Sequence, residues 1–205
     1  MRIRRIQIKP RFHGLFGCFF PRPKTTHYPL DLSLHPAALP DEELLALCRR
    51  ENTRGSGPGG QHRNRVATAV RLTHTASGLM GQASERRSQK ENAVKALFRL
   101  RLNLALDYRS PLKDEDFAIP YQAGPWWTSR LRGQKIRINP EHRDFPSALA
   151  EVLDLLAFHH DDLPKTAEWL GVSTSQLIKF LATEPRALGS LNQRLQSAGR
   201  RTYRA

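Results

Sequence analysis

The spacing of apolar residues changes near residue 85, and this change restricts the fold that the first half of the chain can adopt. Apolar and polar residues alternate over residues 66–75, Ser77-Gly78 is a turn signal, and residues 79–84 return as a second extended stretch. From Ser88 the spacing becomes helical, with one apolar stripe formed by Ala93, Leu97, Leu100 and Leu104. The pattern therefore predicts a β-hairpin and a helix that packs on it.

A short helix and another extended stretch are predicted before the hairpin. Pro40 suits the first turn of a helix, and Asp41 and Glu42 suit its positive end. Residues 48–53 follow as the extended stretch. The fold class is therefore α+β, and we place a compact domain with a small sheet and one packed helix at residues 31–110.

The end of the chain has the spacing of a small all-helical domain, which we place at residues 146–205. Residues 170–173 resemble the turn of a helix-turn-helix, but the second helix offers Lys179 as its only cation. Because DNA binding requires a basic footprint, we predict a helical bundle and no DNA partner. The apolar positions of its first helix are Ala148, Val152, Leu155 and Leu156, and the later helices are predicted at residues 165–170, 173–181 and 185–197.

The chain is strongly basic, with 33 Lys and Arg against 19 Asp and Glu and a formal net charge of +14. This charge favours a polyanionic partner such as nucleic acid. No apolar run reaches the length of a membrane span, so no membrane partner is predicted. Cys18 and Cys48 have neither metal-site nor disulfide-framework spacing, which suits a reducing compartment. We therefore expect a cytoplasmic protein with no metal and no cofactor.

Residues 1–30 hold seven Lys or Arg and no acidic residue. Four prolines in this stretch prevent a continuous helix, so we favour a disordered basic arm. The absence of acids also fits an organellar transit peptide, and that alternative stays open together with a location in an organellar matrix.

Residues 54–62 form a glycine-rich loop, where we expect the chemistry. Gly55, Gly57 and Gly60 match the GxGxxG spacing of dinucleotide-binding proteins, but a strand and not a helix follows them. No Asp or Glu occurs between Glu51 and Glu85 to bind a ribose. The Gly-Lys-Ser/Thr end of a nucleotide-binding P-loop is also missing, so both nucleotide-binding interpretations fail.

An ordered set of residues leads from this loop into the helix: Gly57-Pro58-Gly59-Gly60-Gln61-His62, Asn64, Ala69-Val70-Arg71-Leu72, Gly78, Arg87-Ser88-Gln89 and Asn92. The succession, over about residues 40–106, resembles the catalytic domain of class I peptide chain release factors. The Gly-Gly-Gln triplet alone is a weak signal, whereas the ordered set is specific. The architecture resembles that of stand-alone hydrolases that rescue stalled ribosomes and lack codon-reading domains.

The resemblance implies ribosome-dependent hydrolysis of the ester in P-site peptidyl-tRNA, with Gly59, Gly60 and Gln61 as catalytic residues. Without side chains, the two glycines allow the backbone to approach the ester closely. The Gln61 N–H then stabilises developing charge on oxygen, and its side chain orients water. By the same resemblance, large-subunit ribosomal RNA is the partner, and its predicted contacts are Arg54, Arg63, Asn64, Arg65, Arg86, Arg87, Lys90 and Lys95.

The sequence departs from the family pattern in two places. Arg63-Asn64-Arg65 replaces the commoner Val-Asn-Lys run, which adds charge suited to phosphate. A stop-codon tripeptide motif is also missing, so codon-independent rescue is favoured. The alternative is a non-catalytic ribosome- or nucleic-acid-binding protein that retains the fold.

Two further segments allow more than one interpretation. Residues 111–145 are predicted to be a basic, aromatic and largely irregular linker, in which Trp126 and Trp127 either stack on RNA or cover the main domain. The cluster at residues 159–162, His-His-Asp-Asp, suggests a metal site. Neighbouring side chains at a helix end point apart, however, so we predict a solvated helix terminus instead.

Overall fold

The computed structural model describes residues 35–53, 68–110, 121 and 123–204. The predicted basic arm, most of the glycine-rich loop and the first part of the linker lie outside these residues. The elements are a 3-10 turn at Pro36–Ala38, α1 (Asp41–Ala46), β1 (Cys48–Thr53), β2 (Ala69–His74), β3 (Met80–Ala83), α2 (Gln89–Asp107), α3 (Pro125–Thr128), β4 (Leu131–Arg132), β5 (Lys135–Ile136), α4 (Phe145–Phe158), α5 (Leu163–Trp169), α6 (Thr174–Ala182) and α7 (Pro185–Ser197).

A three-stranded antiparallel sheet has the order β1-β2-β3. The pairing of β1 with β2 runs from Cys48 opposite His74 to Thr53 opposite Ala69. Between β2 and β3 the chain turns through Gly78, whose φ of 72° is a conformation that glycine adopts without strain. These elements confirm the predicted short helix, extended stretch and hairpin, and they confirm the α+β class.

Helix α2 covers the buried face of the sheet. The Ser88 hydroxyl caps its start by accepting a hydrogen bond from Glu91 N at 3.4 Å. The predicted stripe faces inward, since Leu97, Leu100 and Leu104 are all buried. Arg101 also points inward, and it donates to the Ala37 carbonyl at 2.7 Å and to the Asp41 carboxylate at 2.8 Å. This arginine joins α2 to the first elements of the chain.

The C-terminal half is helical, as predicted, but its first helix is more deeply buried than the predicted stripe implies. All residues of α4 from Phe145 to Leu156 are buried. Helix α2 packs on one side of α4, and the buried apolar residues of both halves form one continuous core. Helices α5 and α6 are joined by a turn at Gly171, with φ of 66°, and the neighbouring Val172 is buried.

The linker is more ordered and less exposed than the sequence predicts. The prediction of an irregular segment is wrong over residues 125–136, which form α3 and the β4–β5 hairpin. Trp127 is 1% exposed, contacts Phe180 edge to face and donates its indole N–H to the Leu170 carbonyl at 3.0 Å. Stacking of Trp127 on RNA is therefore excluded. It also does not cover the α+β domain, because its partners belong to the helical half.

A buried carboxylate fastens the linker to α4. Glu151 is 2% exposed and accepts hydrogen bonds from Tyr121 Oη at 2.7 Å, Gly124 N at 2.7 Å and Trp126 Nε1 at 2.5 Å. Burial raises the pKa of Glu151, and the three donors act against that rise. Trp126 is thus held against α4 by its polar edge.

The prediction of a solvated helix terminus at residues 159–162 is wrong for His159. Its ring is 5% exposed, lies edge to face with Trp169 at 4.4 Å and shares a hydrogen bond with the Thr166 hydroxyl at 3.1 Å. His160 and Asp161 take positive φ values of 53° and 59°, which turn the chain into α5. Arg194 of α7 holds this turn through two bonds to the Asp161 carboxylate. Within the described ranges, no helix has both the length and the apolar character to cross a membrane.

A first prediction concerns the contact between β3 and α2. An alanine Cβ at position 81 would lie 2.2 Å from the Ala96 oxygen and 2.3 Å from the Leu100 nitrogen, both of which are backbone atoms. We expect Gly81→Ala to lower the free energy of unfolding by about 3 kcal/mol or more, because a helix backbone cannot yield as a side chain does. Denaturant unfolding measures this change.

The matched control for this prediction is Gly189→Ala, because Gly189 lies inside α7 and an added Cβ meets nothing within 4 Å. This variant should be more stable than the parent by about 0.5–1 kcal/mol. Equal stability of Gly81→Ala and the parent would show that β3 does not pack closely on α2.

A second prediction concerns Asp154 of α4, whose carboxylate contacts Arg109 at 3.5 Å and accepts from Ser110 N at 3.3 Å. Burial raises the pKa of Asp154 to about 7, and Arg109 opposes the rise. Since the unfolded value is about 4, the native state binds this proton more tightly. The stability from Asp154 is therefore full below about pH 4 and is lost as the pH rises through about 7.

We expect Asp154→Asn to become more stable relative to the parent as the pH rises from 4 to 8, because asparagine carries no such proton. Urea unfolding of both proteins at five pH values measures the difference. Nearby His35, whose pKa burial lowers to about 4, is present in both proteins. The exposed Glu141→Gln is the control. A difference that does not change with pH would contradict the prediction.

Candidate functional site

The glycine-rich loop leaves and re-enters the sheet at neighbouring positions. Thr53, the last residue of β1, is paired with Ala69, the first residue of β2. The sheet therefore fixes both ends of the connection, although residues 54–67 themselves lie outside the described residues. The predicted site residues in that segment are Arg54, Gly59, Gly60, Gln61, Arg63, Asn64 and Arg65.

Asn92 of α2 locks the end of this connection to the helix. Its side-chain nitrogen donates to the Thr68 carbonyl at 2.7 Å and to the Arg86 carbonyl at 2.8 Å. Its side-chain oxygen accepts from Arg86 N at 2.9 Å. The Asn92 side chain is fully buried, which limits the access of water to its end of these part-buried bonds. One amide thus joins the residue before β2, the chain before α2 and the first turns of α2.

An asparagine is required here for a physical reason. Asparagine is a poor residue inside a helix, because its side chain competes for backbone hydrogen bonds. At position 92 that tendency is useful, since three backbone groups of Thr68 and Arg86 find their partners in the buried Asn92 side chain. Alanine offers no partner, and aspartate offers no donor to the two carbonyls.

We call the residues that Asn92 joins, together with the start of α2, the loop base, and three of the four predicted RNA contacts in the described region lie there. Arg86 is bonded to Asn92 through its backbone, Arg87 follows it, and Lys90 lies in the first turn of α2. All three side chains are exposed. Lys95 is exposed too, but five residues after Lys90 place it about 7.5 Å further along the axis.

These cations are available to an outside partner. Arg86 contacts Glu91 at 3.9 Å, but both side chains are more than half exposed, so the pair contributes little to stability. A cluster of solvated cations beside a loop raises the local concentration of polyanions. The loop base therefore has the electrostatics of a nucleic-acid contact.

Among the described residues, no group of three His, Cys, Asp or Glu side chains has metal-binding geometry. The carboxyl groups with strongly raised pKa, Glu151 and Asp154, belong to α4 and hold other segments of the chain. The loop base thus provides positive charge and the three hydrogen bonds of the Asn92 side chain, which we call the Asn92 clamp. His62, which we did not assign a catalytic role, lies outside the described residues.

Sequence reasoning missed the function of Asn92 and Thr68 at the loop base. Asn92 is part of the ordered set that carries the family resemblance, but the sequence does not show which atoms it contacts. The available signal is an asparagine in the second turn of a helix, where it lowers helix propensity without an evident reason. Thr68 gives no signal, because only its backbone oxygen is used.

Comparison with known proteins finds similarity over the same part of the chain. Residues 45–123 match the RF-1 domain. Peptide chain release factor 2 of Haemophilus influenzae is 29% identical over 153 residues, which cover 70% of this chain and 39% of that protein. For peptide chain release factor 2 of Proteus mirabilis the identity is 30%, over 60% of this chain and 31% of that protein.

A shorter match reaches higher identity, with 43% to peptide chain release factor 1 of Blochmanniella pennsylvanica over 29% of this chain and 18% of that protein. The chain spans less than two fifths of the length of these curated relatives. No solved structure matches it at a significant level. The matched domain contains the glycine-rich loop, β1 to β3 and α2. The chain therefore matches the RF-1 domain over residues 45–123 and is similar there to peptide chain release factors.

Proposed function

We propose that this protein promotes ribosome-dependent hydrolysis of the ester between the nascent peptide and P-site tRNA. The observation that carries the proposal is the Gly59-Gly60-Gln61 triplet inside an RF-1 domain. The ends of its loop are fixed by the pairing of Thr53 with Ala69 and by the Asn92 clamp on Thr68. Such a fixed base supports a loop that must be placed accurately against a substrate.

In the proposed reaction, water adds to the ester carbonyl carbon, and the bond from that carbon to the tRNA oxygen breaks. The water supplies the hydroxyl of the released peptide acid and the proton of the tRNA hydroxyl. The Gln61 backbone N–H stabilises the negative charge that develops on oxygen, and the Gln61 side chain orients the water. Gly59 and Gly60 permit the close approach. No general base from the protein is required.

The proposed partner is the RNA of the large ribosomal subunit, which the basic residues around the loop would contact. Arg86, Arg87 and Lys90 are exposed at the loop base, and Lys95 extends this basic surface along α2. Arg54, Arg63, Asn64 and Arg65 are proposed to act from within the loop. Each cation that neutralises a phosphate releases counterions, so binding should weaken as salt rises.

We further propose that release is independent of a stop codon, as in the rescue of stalled ribosomes. The sequence lacks a recognisable stop-codon tripeptide motif. The described residues after α2 form a mostly helical unit in which α4 packs against α2. The second candidate function is non-catalytic ribosome or nucleic-acid binding, which the net charge of +14 alone would support.

The decisive experiment measures release of labelled peptide from ribosomes that carry P-site peptidyl-tRNA. The A site holds a stop codon, a sense codon or no codon. Codon-independent rescue predicts release where the messenger ends, without a requirement for a stop codon. Release only at stop codons would overturn the rescue proposal, and no release in any condition would favour the non-catalytic alternative.

A third prediction concerns the catalytic triplet. Gly60→Ala and Gln61→Ala should each abolish peptide release but leave ribosome affinity within about twofold, because affinity arises mainly from the basic contacts. Release rates and ribosome co-sedimentation measure the two quantities. Gly78→Ala is a control for glycine loss elsewhere, since Gly78 has a φ of 72° in the hairpin turn. Release at the parental rate by both loop variants would contradict the catalytic assignment.

A fourth prediction concerns Asn92 as a positioning residue. Asn92→Ala removes all three clamp bonds, so the maximal release rate should fall roughly 10- to 100-fold. Ribosome affinity should change little, because the exposed cations remain. Hydrogen exchange should rise in peptides that contain Thr68, which is a measurement independent of activity.

The matched control is Asn103→Ala on the same helix. Like Asn92, Asn103 donates from its side-chain nitrogen to a backbone carbonyl, here the Met80 carbonyl of β3 at 2.8 Å. It lies three helical turns away from Asn92. This variant should keep the parental release rate and the parental exchange near Thr68. Equal losses in both variants would attribute the effect of Asn92 to general destabilisation.

A further inference from the structure

The β4–β5 hairpin has two faces of different chemistry. Leu131 is paired with Ile136, and both are half-buried against the core. Arg132 is paired with Lys135 on the opposite face, and both are exposed. The pairing continues one step further, because Arg137 N donates to the Arg130 carbonyl at 3.0 Å.

Since side chains alternate between the two faces of a strand, four cations occupy one face of this hairpin. We define them as the cationic ladder: Arg130, Arg132, Lys135 and Arg137.

The ladder places like charges opposite each other, which is unfavourable within the protein alone. Directly opposed residues on one face have Cβ atoms about 4.5–5.5 Å apart, and like charges at that spacing destabilise a strand pair. In the described region, Arg130 is paired with Asp144 at 2.8 Å, but no carboxylate pairs with Arg132, Lys135 or Arg137. No described carboxylate thus compensates these three cations, and a polyanion from outside would relieve their repulsion.

The ladder is also held firmly in place. Leu131, Ile136 and Ile138 pack against the core, and Gly133 takes a φ of 58° in the turn. Arg130 is fixed by its bonds to Asp144 and to the His142 ring at 3.0 Å. Binding therefore requires little ordering of the backbone, which keeps its entropic cost low.

The chemistry of the face points to phosphates and not to bases. Trp127 is buried, and the Trp126 indole is bonded to Glu151, so the tryptophans of this segment turn towards the core. These two indoles therefore give the face no aromatic platform, which favours contacts with phosphates over stacking on bases. Successive cations along one strand are about 6.8 Å apart, since each residue advances about 3.4 Å. Such a row can contact several phosphates of one strand.

We propose that the cationic ladder is a second RNA-binding surface, which contacts the phosphate backbone without reading its sequence. It lies in the helical half, outside the RF-1 match that contains the loop base. As a contact of this protein with ribosomal RNA it rests on the proposed function. Its binding to RNA as such does not, and this difference allows a separate test.

The experiment compares two triple variants with equal loss of charge. Arg132→Gln/Lys135→Gln/Arg137→Gln removes the uncompensated part of the ladder. Lys165→Gln/Arg201→Gln/Arg204→Gln removes three exposed cations of the same half and is the control. Binding to a 20-base-pair RNA duplex and to ribosomes is measured over a series of KCl concentrations, after circular dichroism and thermal unfolding show that both variants fold.

We expect the ladder variant to raise Kd about tenfold or more at 0.1 M KCl. The slope of log affinity against log salt should be less steep by about 2–3, because each of the three lost phosphate contacts contributes about 0.7–0.9 to that slope. The control variant should change both quantities much less. Exchange of each ladder cation for the other basic residue, Arg132→Lys/Lys135→Arg/Arg137→Lys, should retain the parental slope.

Equal effects of the two triple variants on the RNA duplex would overturn the proposal. Binding to poly-glutamate is measured in the same salt series as a protein polyanion. A ladder variant that keeps RNA binding but loses binding to poly-glutamate would also overturn the proposal, in favour of an acidic protein partner. If the parent releases no peptide, but the ladder variant alone loses RNA affinity, the surface is confirmed and the proposed function fails. If the parent releases peptide and the ladder variant binds RNA as tightly as the control variant does, the proposed function stands and the second RNA-binding surface is refuted.

Discussion

Helix α2 is the interaction partner on which both halves of the structure depend. One side of it covers the sheet so closely that a glycine is required at position 81. Another side packs on α4, which is buried over its whole circumference from Phe145 to Leu156. Leu100 and Leu104 belong to the same core as the residues of α4. Because this core is closely packed, a change in the contact of α2 with the sheet also disturbs its contact with α4.

The positive charges of the loop base are not used to hold the protein together. A neutral amide, that of Asn92, supplies the bonds that join Thr68 and Arg86 to α2. Elsewhere the opposite arrangement holds, since Arg101 and Arg109 are paired with Asp41, Asp154 and backbone carbonyls of the protein itself. This division leaves the cations beside the loop in water, where they can exchange counterions for phosphate.

Local patterns predicted most of the elements, because hairpin alternation, turn signals and helical spacing act over a few residues. The stripe of α2 and the turn at Gly78 are examples. The misplaced features are those that depend on distant partners: Trp127 is buried by Phe180 and Leu170, and His159 by Thr166 and Trp169. The family triplet was recognisable from the sequence, whereas the Asn92 clamp joins positions 24 residues apart, a separation that periodicity does not encode.

Two acidic residues on neighbouring turns of α4 hold the chain on both sides of residues 111–120. Asp154 accepts from the backbone of Ser110, and Glu151, three residues earlier, accepts from Tyr121. The chain therefore departs from and returns to nearly the same place on one helix. The free energy of closing a loop grows only slowly with its length. Because the two described ends are held at nearly one place on α4, the cost of joining them depends little on how many residues lie between them.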